Sequence, residues 1–357
     1  FEGRPTPTSI SDIKDNNGAI VSSLLSKTKN ITSFRNFTGN LNWKHTFDST
    51  GKELTTDLDY VKYYSNDQIK IRTTFQVFKR LIWFTAILGA LITLDALPLV
   101  WFRMLFAVGF IAIYLYYKKL PLRVPFKILM QFLFSGLVIA LHWFTFFHAI
   151  KISNVSITLA CLSTGALFAA ILEPILYGKK IVPYELFFGL LVVVGLYIIF
   201  NVEGNYFLGI LTALSSAFLS ALFAVINSRL VQSYDATVIS FYELSGGVVF
   251  FSFILLFFGS FSVSFFQLSV KDLLYLLILS SVCTAYAFIA STSVMKFLSP
   301  YTVMLTINLE PIYGIILAVL IFEEKEKMSF GFYIGAFIIL LTVLLNAVIK
   351  SRKKTAS

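Results

Sequence analysis

Charge is what this 357-residue sequence has least of. Only 13% of its residues are charged, against ~25% in ordinary soluble domains, so most of the chain is built for lipid. Cysteine is nearly absent. Cys161 and Cys283 each sit inside an apolar run with no second thiol at ligand spacing, and they read as small buried side chains. The three histidines are scattered and suggest no metal site. Nothing resembles GxxxxGK[ST], so no P-loop supplies energy from ATP. No HExxH, GxSxG or paired-Asp motif appears, although an intramembrane enzyme needs such groups facing one chamber. The net charge of +10 is carried by basic residues at the ends of apolar runs, the pattern of membrane orientation and not of a nucleic-acid stripe. No signal-peptide pattern is visible, and the chain opens on Phe1.

Residues 1–78 differ from the rest. They hold 10 basic and 8 acidic side chains and no apolar run of spanning length. Phe37, Leu41, Trp43, His45 and Phe47 alternate with polar residues, a turn follows at Asp48–Gly51, and Leu54, Leu58 and Tyr60 alternate again. That period of two predicts a β-hairpin with a polar face. The segment NLNWKHTFDSTGKELTTDLDYVKYYSND resembles a fragment of a TonB-dependent outer-membrane receptor barrel. A membrane barrel needs at least ~8 strands, so the expectation is a fused reading frame, joined near 74–84, with no function of its own. The alternative is a genuine β domain.

From residue 81 apolar runs of about 20 residues, the length a ~30 Å core demands, follow one another. They are placed near 81–95, 98–117, 126–149, 155–177, 183–201, 206–229, 236–258, 272–295, 302–322 and 328–349. The first is short, because only ~21 Å of helix fits between Arg80 and Asp95. It spans only with a thinned bilayer or snorkelling basic side chains. On one side of these runs stand 14 basic residues, among them Lys118, Lys119, Lys179 and Lys296; on the other stand Lys151, Lys271, Lys325 and Lys327. The positive-inside rule then puts both ends of the bundle, including the basic tail 350–357, in the cytoplasm.

Ten runs divide into five and five (79–202 and 203–349), and an odd number per half forces opposite orientations. DALPLVWFRM (Asp95–Met104) aligns with DATVISFYEL (Asp235–Leu244), and HAIKISNVSITLA (His148–Ala160) more loosely with SVMKFLSPYTVML (Ser293–Leu305). TLACLSTGALFAAILEPILYGK (Thr158–Lys179) echoes VMLTINLEPIYGIILAVLIFEE (Val303–Glu324) at an offset of 145, with its Glu173–Pro174 eight residues beyond the place of Glu310–Pro311. The expected fold is an all-α membrane bundle of ten helices as two inverted five-helix repeats. Substrate then sits near the midplane, and one half rocks against the other. With LVWFRML in helix 2, AIKISNVS leading into helix 4 and FEEK (Phe322–Lys325) before helix 10, residues 81–349 resemble the EamA-type family of the drug/metabolite transporter superfamily. The resemblance implies a secondary transporter of the inner, cytoplasmic membrane, moving amino acids or related small polar metabolites by alternating access, often as an exporter. It implies no enzyme activity and no cofactor beyond a coupling proton or other ion. Helix 1 departs from the pattern by lacking a glycine after Trp83. A non-transporting or defective membrane protein, and an intramembrane enzyme, stand as alternatives.

The charged residues inside apolar runs are the site candidates. Glu310 lies ~12 Å from the cytoplasmic end of helix 9, beside Pro311 and flanked at helical spacing by Asn308 and Tyr313. A carboxyl there can exchange protons while loading a cationic or zwitterionic substrate; the alternative is a protonated structural group. Arg103, ~8 Å from the external end of helix 2, suits a substrate carboxylate or a topological anchor. Glu243 aligns with Arg103, and inversion puts the two in opposite leaflets, which disfavours a direct ion pair. Glu173 lies about a turn from the cytoplasmic end of helix 4. His142, Trp143 and His148 stripe helix 3 as binding wall or interfacial belt. The partners expected are a small molecule and the bilayer, with no nucleic acid. GxxxG spacing at Gly331–Gly335, common in any bundle, leaves a homodimer unsupported.

Overall fold

The computed structural model describes the backbone of residues 9–14, 20–26, 36–46, 53–63, 85–178, 183–307, 310–322, 326 and 328–355. The chain divides into two compact units, 1–74 and 75–357. In the first, β1 (Ser9–Lys14) pairs antiparallel with β2 (Ile20–Ser26), and β3 (Asn36–Thr46) with β4 (Glu53–Tyr63). The alternation read at 37–60 falls on β3 and β4, whose register sets Leu41 opposite Leu58 and His45 opposite Leu54. The resemblance of this segment to an outer-membrane receptor barrel is not supported. Among the described residues its strands form two separate two-stranded ribbons, and neither offers the run of paired strands a barrel is closed from. The expected junction at 74–84 lies outside the described residues.

The second unit is helical. It comprises α1 (85–91), α2 (Ala96–Lys118), α3 (Phe126–Ile152), α4 (Val155–Leu162), α5 (Gly165–Tyr177), α6 (Pro183–Val202) and α7 (Phe207–Ser233). There follow α8 (Ala236–Phe257), α9 (Val270–Ser280), a wide π turn (Ser281–Tyr286), α10 (Ala287–Val294), α11 (Pro300–Ile307), α12 (Glu310–Phe322) and α13 (Phe330–Thr355). Among the described residues six stretches are long and apolar enough to cross a bilayer: α2, α3, α4 with α5, Gly204–Ser233, α8, and Val270–Val294. The expected count of ten spans is thus not confirmed among the described residues. The remaining four positions fall on α1, α6, α11 with α12, and α13, whose described apolar stretches are too short to qualify alone.

The aligned aspartates each start a helix: Asp95 precedes α2, and the Asp235 carboxylate caps α8 by accepting the Thr237 N–H. The offset of 145 recurs at the start of α4 (Val155) and the start of α11 (Pro300).

Between membrane helices, packing depends on close backbone approach rather than on expelling water. α3 runs along α7 and α8, α2 along α8, and α6 along α13. A Cβ on Gly195 would stand 2.8 Å from the Gly335 carbonyl oxygen, and one on Gly335 would stand 2.7 Å from that of Gly195. Only glycine lets α6 and α13 meet there. A Cβ on Gly136 of α3 would likewise overlap the backbone carbonyl of Glu243 on α8.

Candidate functional site

A cavity of about 120 Å³ lies among α2, α3, α7, α10 and α11. Its walls are mostly aromatic and aliphatic, including Ile139, Phe146, Phe223 and Phe288, with His142 and Ser291 among the polar groups. Thr85 of α1 and Leu162, the last residue of α4, also reach it, as do Met304 and Ile307 of α11. The first-half helix α4 therefore ends at the cavity, and half-helix termini serve substrates in transporters built of inverted repeats.

Arg103 is the cation of this wall, and only 2% of it is exposed. Among the contacts that hold it are two to the neighbouring helices. Its guanidinium carbon lies 4.0 Å from the centre of the Trp143 ring, a cation–π contact. Its Nε donates to Thr284 Oγ1 at 2.6 Å. Thr284 can accept because it sits in the π turn, where its own hydroxyl donates five residues back to the Leu279 carbonyl at 2.7 Å. Such single-turn widenings recur at functional sites, and here the widening aims the threonine at Arg103. Trp143 in turn packs edge-on against Phe288. His142, next to it, meets the Ser216 carbonyl and hydroxyl, each at 2.9 Å from Nδ1.

Of the residues expected at the site, Arg103 and Trp143 are brought together at the cavity. Glu243, Glu173 and His148 are not among its lining. Glu243 is fully buried on α8, and its Oε1 accepts from Asn227 Nδ2 at 2.7 Å, while the same amide nitrogen donates to Ser135 Oγ at 3.0 Å. Glu173 is buried on α5, a turn before Tyr177, whose ring lies 4.6 Å under the Arg229 guanidinium carbon. His148 stacks on Phe144 at 5.6 Å, as a packing residue does. Glu310 begins α12 and Tyr313 lies in its first turn; their side chains, and Asn308 altogether, lie outside the described residues. Among the described residues no group of three His, Cys, Asp or Glu could hold a metal ion.

Sequence reasoning missed two carboxylates that join distant parts of the bundle. Glu326, only 4% exposed, accepts the Val155 N–H at 2.9 Å, the Ser156 N–H at 2.9 Å and the Ser156 hydroxyl at 2.7 Å. It thereby satisfies donors at the start of α4 that the helix itself leaves orphaned. Asp272 accepts the Thr93 N–H at 2.8 Å and its hydroxyl at 2.7 Å, and the Ser269 hydroxyl at 2.7 Å. Lys151 Nζ donates to the Ile92 carbonyl beside it. Glu326 lies 171 residues from Val155 and Asp272 lies 179 from Thr93, so no local pattern could pair them.

No curated protein gives a significant match to the chain. A solved crystal structure of a protein 15% identical in sequence superposes with a TM-score of 0.59, covering 80% of this chain and 98% of that one; it is similar in fold alone. The model of the EamA-like transporter family matches twice, over residues 81–201 and 207–348. The chain therefore belongs to the EamA-like transporter family, multi-pass membrane transporters of small molecules that work without a cofactor.

Proposed function

We propose that the protein carries small metabolites bearing a carboxylate, amino acids first, across the cytoplasmic membrane by alternating access between two inverted five-helix halves, in the direction of export. The observation that carries this reading is Arg103 in the wall of an otherwise largely apolar cavity. A cation in the interior of a membrane bundle is costly and marks a substrate path, and a guanidinium's planar fork suits a carboxylate. Trp143 and Thr284 orient it, so the site is prepared before substrate arrives. Glu310, opening α12 just past Ile307 of the cavity, is the group assigned to the substrate's ammonium or to an exchanged proton, with Tyr313 and Asn308 beside it.

We take ten spans from the apolar runs and cytoplasmic termini from the basic-residue tally. On that orientation the hydrogen bonds of Asp272 to Thr93 and of Glu326 to Val155 and Ser156 lie at the external face, each linking the second half to the first. The cavity runs toward Met295 and Met304, nearer the cytoplasmic ends of their helices. We read this as the state sealed outside and loading from inside. Residues 1–78 take no part in transport, in keeping with their separation as a unit at Thr74/Phe75.

The test is uptake of labelled alanine, glutamate and lysine by inverted vesicles. Arg103→Lys keeps the charge but loses the fork and the flat face on Trp143, and should raise KM at least tenfold for every transported carboxylate substrate. Transport unchanged by Arg103→Lys and Arg103→Met would remove Arg103 from the substrate path.

A further inference from the structure

A second buried polar cluster lies about one helical turn from the cavity. Ser135 precedes the lining residue Ile139 by four positions on α3, and Asn227 follows the lining residue Phe223 by four on α7. Between them, from α8, comes Glu243. All three residues are fully buried. Asn227 Nδ2 is shared by Glu243 Oε1 and Ser135 Oγ, while Glu243 Oε2 and Asn227 Oδ1 have no hydrogen-bond partner among the described residues.

The ionisable groups on the helices packed against α8 are engaged elsewhere. Arg103 of α2 bonds Thr284, and Lys118 at its end is exposed. On α3, His142 bonds Ser216, His148 stacks on Phe144, Lys127 is exposed, and Lys151 reaches Ile92. Arg229 of α7 lies over Tyr177, and α10 has no ionisable side chain. An ionised carboxylate would therefore sit at Glu243 with only neutral donors, Asn227 and Ser135, and no cation. An uncompensated buried charge of that kind costs several kcal/mol, and one proton on Oε2 removes it.

We propose that Glu243, Asn227 and Ser135 form a proton-binding site, separate from the Arg103 cavity, at which the carrier takes up and releases a coupling proton. Asn227 serves as a fixed donor that marks Oε1 as the carbonyl oxygen and leaves Oε2 to carry the hydrogen. Ser135 holds the amide in that orientation. Binding is transfer of one proton from hydronium, reaching the cluster through the cavity, to Oε2: the Oε2–H bond forms as an O–H bond of hydronium breaks, leaving water. The coupling role rests on the transporter reading; the proton site does not.

Infrared difference spectroscopy of the full-length protein in lipid vesicles tests it, because a protonated carboxyl has a C=O stretch distinct from that of a carboxylate. The expected result is a protonated-carboxyl band that Glu243→Gln deletes, that Asn227→Ala shifts, and that disappears as pH is raised while the protein stays folded. Asn227→Ala keeps the carboxyl and so gives a signal even if Glu243→Gln does not fold. A spectrum with no such band, a band insensitive to both substitutions, or one that persists at every pH overturns the site as a proton carrier. Loss of the band on adding sodium at constant pH also overturns it, in favour of a metal cation. None of these measurements needs a transported substrate, so a failure to move amino acids would sink the proposed function and leave the proton site standing.

Discussion

Replacing Glu326 with alanine should open the bundle at the face where α4 begins. The carboxylate accepts two backbone N–H groups and one hydroxyl, and a hydrogen bond to a charged group is worth about 1.5–3 kcal/mol. Three such bonds do not add in full, since groups that part from Glu326 regain water. Taking one bond's upper value, ~3 kcal/mol, as the share lost on opening, and ~1.4 kcal/mol per factor of ten, the open population should rise about a hundredfold. Cys283 reports on it, because it lines the cavity and is only 7% exposed. With Cys161→Ala as background it is the sole thiol of the chain. A charged, membrane-impermeant thiol reagent added outside right-side-out vesicles should label Cys283 about a hundredfold faster in Glu326→Ala. Glu326→Gln, which keeps one acceptor oxygen but no charge, should fall between. If external labelling is unchanged in both variants while labelling from the inside confirms a folded protein, Glu326 is not a latch and the external seal lies elsewhere.

Gly136→Ala should drive α3 and α8 apart, because the new Cβ meets the rigid carbonyl of Glu243 and not a movable side chain. Overpacking of this kind costs about 1–3 kcal/mol, read as a lowered melting temperature in detergent, and an unchanged melting temperature would contradict the packing described. Lys119 and Lys325 should react with impermeant amine reagents from opposite sides of the membrane. Labelling of both from one side would end the inverted-repeat reading, and the two-sided carrier with it.

Much of the helical unit was legible in order along the chain. The 145-residue echo marked the halves, and the same offset separates the starts of α4 (Val155) and α11 (Pro300). Arg103 stood out as a lone cation in an apolar run, and it is on the cavity wall. These signals are local, since composition, run length and repeat spacing need no knowledge of what lies opposite. The tertiary structure decided the rest. His148 had the same stripe position as Trp143, yet one ring stacks on its own helix and the other carries the guanidinium. Thr284 meets Arg103 because a widened turn points it there, and Glu243, aligned with Arg103 in sequence, turned instead to Asn227 and Ser135. Glu326 and Val155 are joined across 171 positions. A carboxylate's partner is set by which helices cross near it, and in lipid that crossing depends on side-chain shape summed over both halves, which one-dimensional periodicity does not contain.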